Sequence, residues 1–185
     1  FSPLEASFQD YKMMKEETGF KLEWISLGPT VNSARADIVQ VDHTNPGTMY
    51  AGFGSGGLWK TTNHGLNWNS VFEEQSSLGI GDVELALSDP NIIYLGTGEN
   101  LKKPRNFTLP GTGMYRSDDA GLTWNKIGLE DSWSIAEIEI HPTNPDIVFV
   151  CVLGHLWSKN PNRGLYRTMN GGKTWEHVLY KDEMT

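Results

Sequence analysis

An all-β chain forming part of a β-propeller is the fold that the sequence predicts, on three observations. The first is an eight-residue pattern, Ser/Thr-x-Asp/Asn-x-Gly-x-x-Trp, which starts at Thr61, Ser117 and Thr168, spaced by 56 and 51 residues. The second is a short apolar run before each copy: Gly57-Leu58-Trp59-Lys60, Gly113-Met114-Tyr115-Arg116 and Gly164-Leu165-Tyr166-Arg167. The third is a turn at Asn45-Pro46, Asp89-Pro90 and Asn144-Pro145, each set between two extended apolar runs. A pattern recurring at this period signals similar modules stacked side by side. Strand, Pro turn, strand, variable loop, strand, boxed turn and strand make one four-stranded blade.

Taken in order, residues 1–19 carry Leu4, Phe8 and Tyr11 at helical spacing within a charged stretch. This predicts an amphipathic helical extension packed on the outside of the propeller. From 20 to 185 the chain reads as a partial propeller. Trp24-Ile25-Ser26-Leu27-Gly28 matches Trp124-Asn125-Lys126-Ile127-Gly128, an outermost strand, yet no box precedes it. Residues 22–27 are therefore an orphan outer strand, of the kind that completes the last blade of a circular propeller. Blades follow at about 37–72, 82–128 and 137–180. Three complete blades fall short of the roughly four to eight that close a ring, so the remaining blades of the same protein are an expected partner.

Within each blade, Pro initiates the first turn by fixing φ, while the Asn or Asp beside it bonds its own backbone. The inner strands alternate. One parity holds Val39 and Val41, Val83 and Leu85, Ile138 and Ile140, the expected packed face. The other holds Ile38 and Gln40, Asp82 and Glu84, Glu137 and Glu139, expected to approach the central channel. Those carboxylates read as water-filled channel lining, or as an acidic collar for a cation or a cationic peptide end. In the boxed turns, Asn63, Asp119 and Asn170 accept amide hydrogen bonds, and Gly65, Gly121 and Gly172 supply positive φ. Trp68, Trp124 and Trp175 lay their rings on neighbouring strands with the N–H directed at a carbonyl. The pattern needs no ligand; Ca²⁺ at the acidic copy is the only cofactor it suggests.

A net charge of −8, with no basic cluster beyond Lys102-Lys103-Pro104-Arg105, argues against nucleic acid as a partner. No apolar run approaches the length of a membrane span. The single Cys151 lies in an apolar strand, which predicts a buried, inert thiol and excludes an internal disulfide. No His pair has helical metal-ligand spacing. The opening residues do not form a charged-then-apolar leader, and a start without Met fits a processed or trimmed chain.

With these repeats laid out, the chain resembles the Asp-box (bacterial neuraminidase repeat) β-propellers over roughly residues 20–185. Within them it is most similar to sortilin-type propellers, including exported bacterial repeat proteins labelled glycosyl hydrolases. The likeness rests on Trp24-Ile25-Ser26-Leu27-Gly28-Pro29, Ser55-Gly56-Gly57-Leu58-Trp59-Lys60-Thr61-Thr62 and Gly96-Thr97-Gly98-Glu99-Asn100. It rests also on Gly154-His155-Leu156-Trp157-Ser158 followed by Arg163-Gly164-Leu165-Tyr166. The resemblance implies an extracytoplasmic protein, secreted, periplasmic or at the cell surface, that binds a peptide or glycan in or over the propeller's tunnel. The fold hosts sialidases, xyloglucanases, sorting receptors and photosystem assembly factors, so the resemblance fixes architecture more than activity. No catalytic residue carries over. The Phe/Tyr-Arg-Ile-Pro motif of Asp-box sialidases is absent, and Arg116 and Arg167, just before boxes, read as blade-stacking residues.

Ligand residues are expected on the face where loops vary, since variable loops on a rigid scaffold carry binding. Inserts at 97–112 and 153–162 place Glu99, Asn100 and Arg105 in one and His155 and Trp157 in the other. Connections between blades add Arg35 and Trp133 to the same face. Aromatic rings beside polar groups suit sugar stacking or peptide capture. The leading expectation is a non-catalytic binding or scaffold propeller. The alternatives are a glycoside hydrolase with a carboxylate pair such as Glu99 and Asp131, and an assembly factor for a membrane complex.

Overall fold

A computed structural model describes residues 3–17, 34–100 and 108–184. The orphan strand expected at 22–27 and the candidate Arg105 lie outside them. After helix α1 (Pro3–Glu17) come three four-stranded antiparallel sheets. Blade 1 comprises β1 (Ala36–Val41), β2 (Met49–Phe53), β3 (Gly57–Thr61) and β4 (Asn69–Ser70). Blade 2 comprises β5 (Ile80–Leu85), β6 (Ile93–Thr97), β7 (Met114–Ser117) and β8 (Asn125–Gly128). Blade 3 comprises β9 (Ile135–Ile140), β10 (Val148–Val152), β11 (Gly164–Thr168) and β12 (Glu176–Leu179). This is an all-β propeller fragment with one short helix. Each inner strand slips register at the same place against its neighbour, between Ala36 and Ile38, between Ile80 and Asp82, and opposite Cys151 and Val152.

The boxed turns are closed by their own side chains. Thr61, Ser117 and Thr168 each accept the amide four residues on, from Gly65, Gly121 and Gly172, at 2.8–3.0 Å. Each hydroxyl also donates to Asn63, Asp119 or Asn170. The same Oδ1 atom also accepts the amide of Asn67, Thr123 or Thr174 at 2.8–3.0 Å. Asp119 is held down to about 2 by the Thr123 hydroxyl and amide that bond its carboxylate. Among the described residues no group of three or more His, Cys, Asp or Glu side chains is placed to hold a metal ion.

The blades are welded by two apolar clusters. Tyr50, Leu58, Phe72, Val83, Leu85 and Tyr115 fill the first seam; Tyr94, Ile135, Ile138, Val148, Val150 and Tyr166 fill the second. Polar ties repeat across both. The Trp124 indole donates to Val71 O at 2.8 Å, and the Trp175 indole to Ile127 O at 2.7 Å. Tyr50 Oη reaches Ala120 O, and Tyr94 Oη reaches Pro145 O, both at 2.9 Å. Arg116 crosses to Asp146 at 2.8 Å, whereas Arg167 bonds Glu176 of its own blade. The box tryptophan is thus an inter-blade clasp. Trp124→Phe keeps the edge-on contact with Phe72 but strands the Val71 carbonyl, so it is expected to cost about 1–2 kcal/mol in urea unfolding. An unchanged midpoint would remove the clasp.

Four expectations need correcting. Val39 and Val41 are 58% and 46% exposed, because on blade 1 that parity faces away from blade 2. Asp82 does not line a channel: it is buried in the second seam, where its carboxylate accepts Ile138 N at 2.6 Å and Val83 N at 2.9 Å. Cys151 is exposed, on the outer side of blade 3. In α1, Leu4 and Tyr11 are exposed; the helix is held instead by buried Glu5, which takes Lys126 Nζ and Ser76 Oγ at 2.8 Å each. A buried ion pair with a second donor fixes the helix where apolar spacing predicted a greasy face.

Candidate functional site

Five of the candidate ligand residues, Arg35, Glu99, Asn100, Trp133 and His155, sit in two linked networks where the inserts meet the connection from blade 2 to blade 3. That connection turns tightly. Leu129 and Trp133 both adopt left-handed conformations, with φ of +58° and +57°, a costly state for bulky side chains. Ser132 N bonds Leu129 O at 3.1 Å, closing the turn. Trp133 stacks on His155 with ring centroids 4.6 Å apart, and His155 Nε2 lies 2.9 Å from Asp131 Oδ1. The other Asp131 oxygen accepts Asn162 Nδ2 at 3.0 Å and Asn160 Nδ2 at 3.4 Å.

Buried Asn160 also orders its own loop by accepting Asn162 N at 2.8 Å. Arg163 pins the two ends of the insert together, donating to the carbonyls of Leu153, His155 and Glu183. Trp157, at the tip of this insert, is 72% exposed. Asn160, Asn162 and Arg163 escaped the sequence reading. Their signal is the Asn160-Pro161-Asn162 turn just before β11.

The second network is ionic. Arg35 Nη2 donates to Glu99 Oε1 at 2.8 Å and to Asp37 Oδ2 at 2.9 Å, and Glu99 Oε2 accepts Leu109 N at 3.3 Å. Asn100 Nδ2 caps Ala136 O at 3.0 Å. Ser134 joins the networks: its hydroxyl bonds the carbonyls of Gly98 and Glu99 at 3.2 Å, and its own carbonyl takes Leu153 N at 2.9 Å. Arg35, Glu99, Asn100, Trp133, His155 and Asp131 therefore belong to one rim.

Glu99 and Asp131 lie in different networks, each with its own donors. Two carboxyls of the inner strand β5 are driven upward. Burial lifts both Asp82 and Glu84 to about 7, with the nearby carboxylates adding repulsion; the amides of Ile138 and Val83 partly offset this at Asp82. Beside the rim a cleft of about 490 Å³ runs along the second seam, walled by Leu129, Asp131, Ser132, Asn162, Tyr166 and Trp175. The Ser132 hydroxyl is buried there without a hydrogen-bond partner among the described residues.

No family model matches the chain. Among curated proteins it is 26% identical over 108 residues to a probable oligoxyloglucan-reducing end-specific xyloglucanase of Neosartorya fischeri, covering 57% of this chain and 12% of that protein. It is 26% identical over 117 residues to the vacuolar protein sorting/targeting protein 10 of Fusarium vanettenii, covering 63% and 7%. It is also 26% identical over 196 aligned positions to xyloglucanase Xgh74A of Acetivibrio thermocellus, covering 91% and 21%. The chain thus spans between 7% and 21% of the length of these relatives.

Among solved structures, an ancestral GH74 enzyme superposes with a TM-score of 0.61 at 20% identity, over 80% of this chain and 19% of that one. YCF48 from Cyanidioschyzon merolae superposes at 0.56 and 15% identity, over 83% and 40%. YCF48 bound to D1 peptide superposes at 0.54 and 14% identity, over 81% and 41%. At these identities the likeness establishes the propeller fold. No helix among the described residues is long and apolar enough to cross a membrane.

Proposed function

We propose that this chain is the recognition part of a larger, extracytoplasmic Asp-box propeller of the sortilin-like kind, which binds a peptide or glycan without turning it over. On this reading residues 1–19 are an extension, 20–185 belong to the propeller, and 22–27 complete a blade supplied by the rest of the protein. The observation that carries it is the rim itself: the exposed Trp157 ring stands on the insert whose His155 stacks on Trp133 and meets Asp131. A flat apolar ring beside fixed, oriented polar groups suits a pyranose face or a peptide with polar ends. A relative named as a sorting/targeting protein and a structural neighbour described as bound to D1 peptide support capture rather than turnover.

Glycan arrays and peptide libraries presented to the full-length protein test this. Trp157→Ala is expected to weaken the best ligand at least about tenfold, an aromatic anchor's usual worth, while leaving the melting temperature unchanged. Equal affinity in the variant would remove Trp157 from the site. The second reading, a glycoside hydrolase, is favoured by the two relatives named as xyloglucanases and by the presence of Glu99 and Asp131 on one rim. Turnover of an array glycan that Glu99→Gln or Asp131→Asn abolishes would establish it and sink the binding-only reading.

A further inference from the structure

The two seams are built from the same parts, and blade 3 presents half of a third. Toward its successor, blade 1 offers Gln40, Tyr50, Gly52 and the carbonyl of Val71. Blade 2 offers Glu84, Tyr94, Gly96 and the carbonyl of Ile127, at the same distances from the Pro turn and from the box. The following blade completes each. Its box indole takes the carbonyl, a backbone oxygen beside its own Pro turn or box takes the tyrosine, and an isoleucine opening its inner strand lies over the glycine. A Cβ on Gly52 would come within 2.9 Å of Ile80 Cγ2, and one on Gly96 within 2.4 Å of Ile135 Cγ2. These seams close only because a glycine faces an isoleucine.

On blade 3 the matching positions are Glu139, Phe149, Cys151 and the carbonyl of Val178. Nothing described covers them: Phe149 is 37% exposed and Glu137, Glu139 and Cys151 are exposed. Arg167 stands where Arg116 crosses the second seam, and its Nε is buried without a hydrogen-bond partner among the described residues. A solvent-facing sheet edge does not need this composition, whereas an unfinished seam does.

We infer that the outer face of blade 3 is a third seam, and that its occupant is a further four-stranded blade of the same protein whose inner strand opens with a residue of alanine size. The inference rests on the larger-propeller reading above. Cys151 fills the space that isoleucine occupies over Gly52 and Gly96, so an isoleucine there would overlap it. The partner supplies an indole N–H for Val178 O and an acceptor for Arg167. Phe149 has no hydroxyl, so the partner's first turn needs no carbonyl aimed at it.

The test is alkylation of the full-length protein with N-ethylmaleimide, read by mass spectrometry on the peptide containing Cys151. Modification is expected to be at least about 100-fold slower in the native than in the guanidinium-unfolded protein, as for a thiol that reacts only on local opening. Nearby Glu137 and Glu139 add to burial in raising the thiol pKa, so a difference of less than about tenfold is the overturning result. Cys151→Ile is the second arm: it should lower the melting temperature by overpacking the seam, and an unchanged or raised value would mark an open strand face. Protection that vanishes on dilution would assign the face to a second copy and overturn the proposal. A longer protein with freely alkylated Cys151 sinks the seam alone, while a full-length protein with no further blades sinks the larger-propeller reading with it.

Discussion

Gly98→Ala is expected to destabilise the protein by about 3–5 kcal/mol, near the upper end for a single substitution. Gly98 has a φ of +97°, and a Cβ there would sit 2.0 Å from Trp133 O and 2.7 Å from Ser134 Cα. Both obstacles are backbone, so no rotamer change relieves them. Gly98 is also tied on each side, its amide to Gly79 O at 2.8 Å and its carbonyl to the Ser134 hydroxyl. Moving it would pull the second seam and the rim apart together. Gly65→Ala is the control. Its φ is +82°, but its nearest neighbours stand 3.7 Å away, so only the left-handed penalty of about 1–2 kcal/mol applies. Urea unfolding of both variants checks this, and equal losses would show that conformation alone, and not the close approach of two blades, makes position 98 a glycine.

Asp82→Asn is expected to flatten the pH dependence of stability between about pH 4 and 7. Asp82 is raised from 3.8 to about 7, chiefly by burial, so across that interval the folded protein holds a proton that the unfolded chain has released. Stability therefore falls as pH rises through the interval and is level above it. A shift of about three units corresponds to ~4 kcal/mol between the two protonation states, which water penetration reduces toward ~2. Asparagine has the shape of the protonated acid and still accepts one of the two amides, so it removes the slope with little loss of packing. Glu84, also lifted to about 7, contributes a residual slope of the same sign. The quantity to measure is the difference in melting temperature between parent and variant from pH 4 to 8, which should widen in the variant's favour with rising pH. A constant difference would mean that Asp82 is ionised throughout.

The blade pattern was legible because it depends on local chemistry. Pro46, Pro90 and Pro145 mark turns by fixing φ, the boxes close on their own side chains, and both signals survive in one dimension. The position of each inner-strand face was not. Val39 and Val83 share a parity, yet one is 58% exposed and the other fully buried, because exposure depends on whether a neighbouring blade exists on that side. The rim was half legible. Trp133, His155 and Trp157 stand out by type and by loop length, whereas the Asn160-Pro161-Asn162 turn signals a bend but not its partners, the Asp131 carboxylate for Asn160 and three backbone carbonyls for Arg163. Glu5 was hidden for the same reason: its partners, Lys126 and Ser76, are 121 and 71 residues away.

What this sequence determined alone is the unit: four strands, a Pro turn, and a hairpin shut by Ser or Thr, Asp or Asn, Gly and Trp, since the bonds that close its turns join residues within a few positions. What the tertiary structure decided is how units meet. There the glycines admit an adjacent isoleucine, the indoles find carbonyls of the previous blade, and Asp82 becomes a seam carboxylate. Those outcomes depend on surfaces brought together from 28 to 56 residues apart, and the energy of burying a group is set by what lies opposite it.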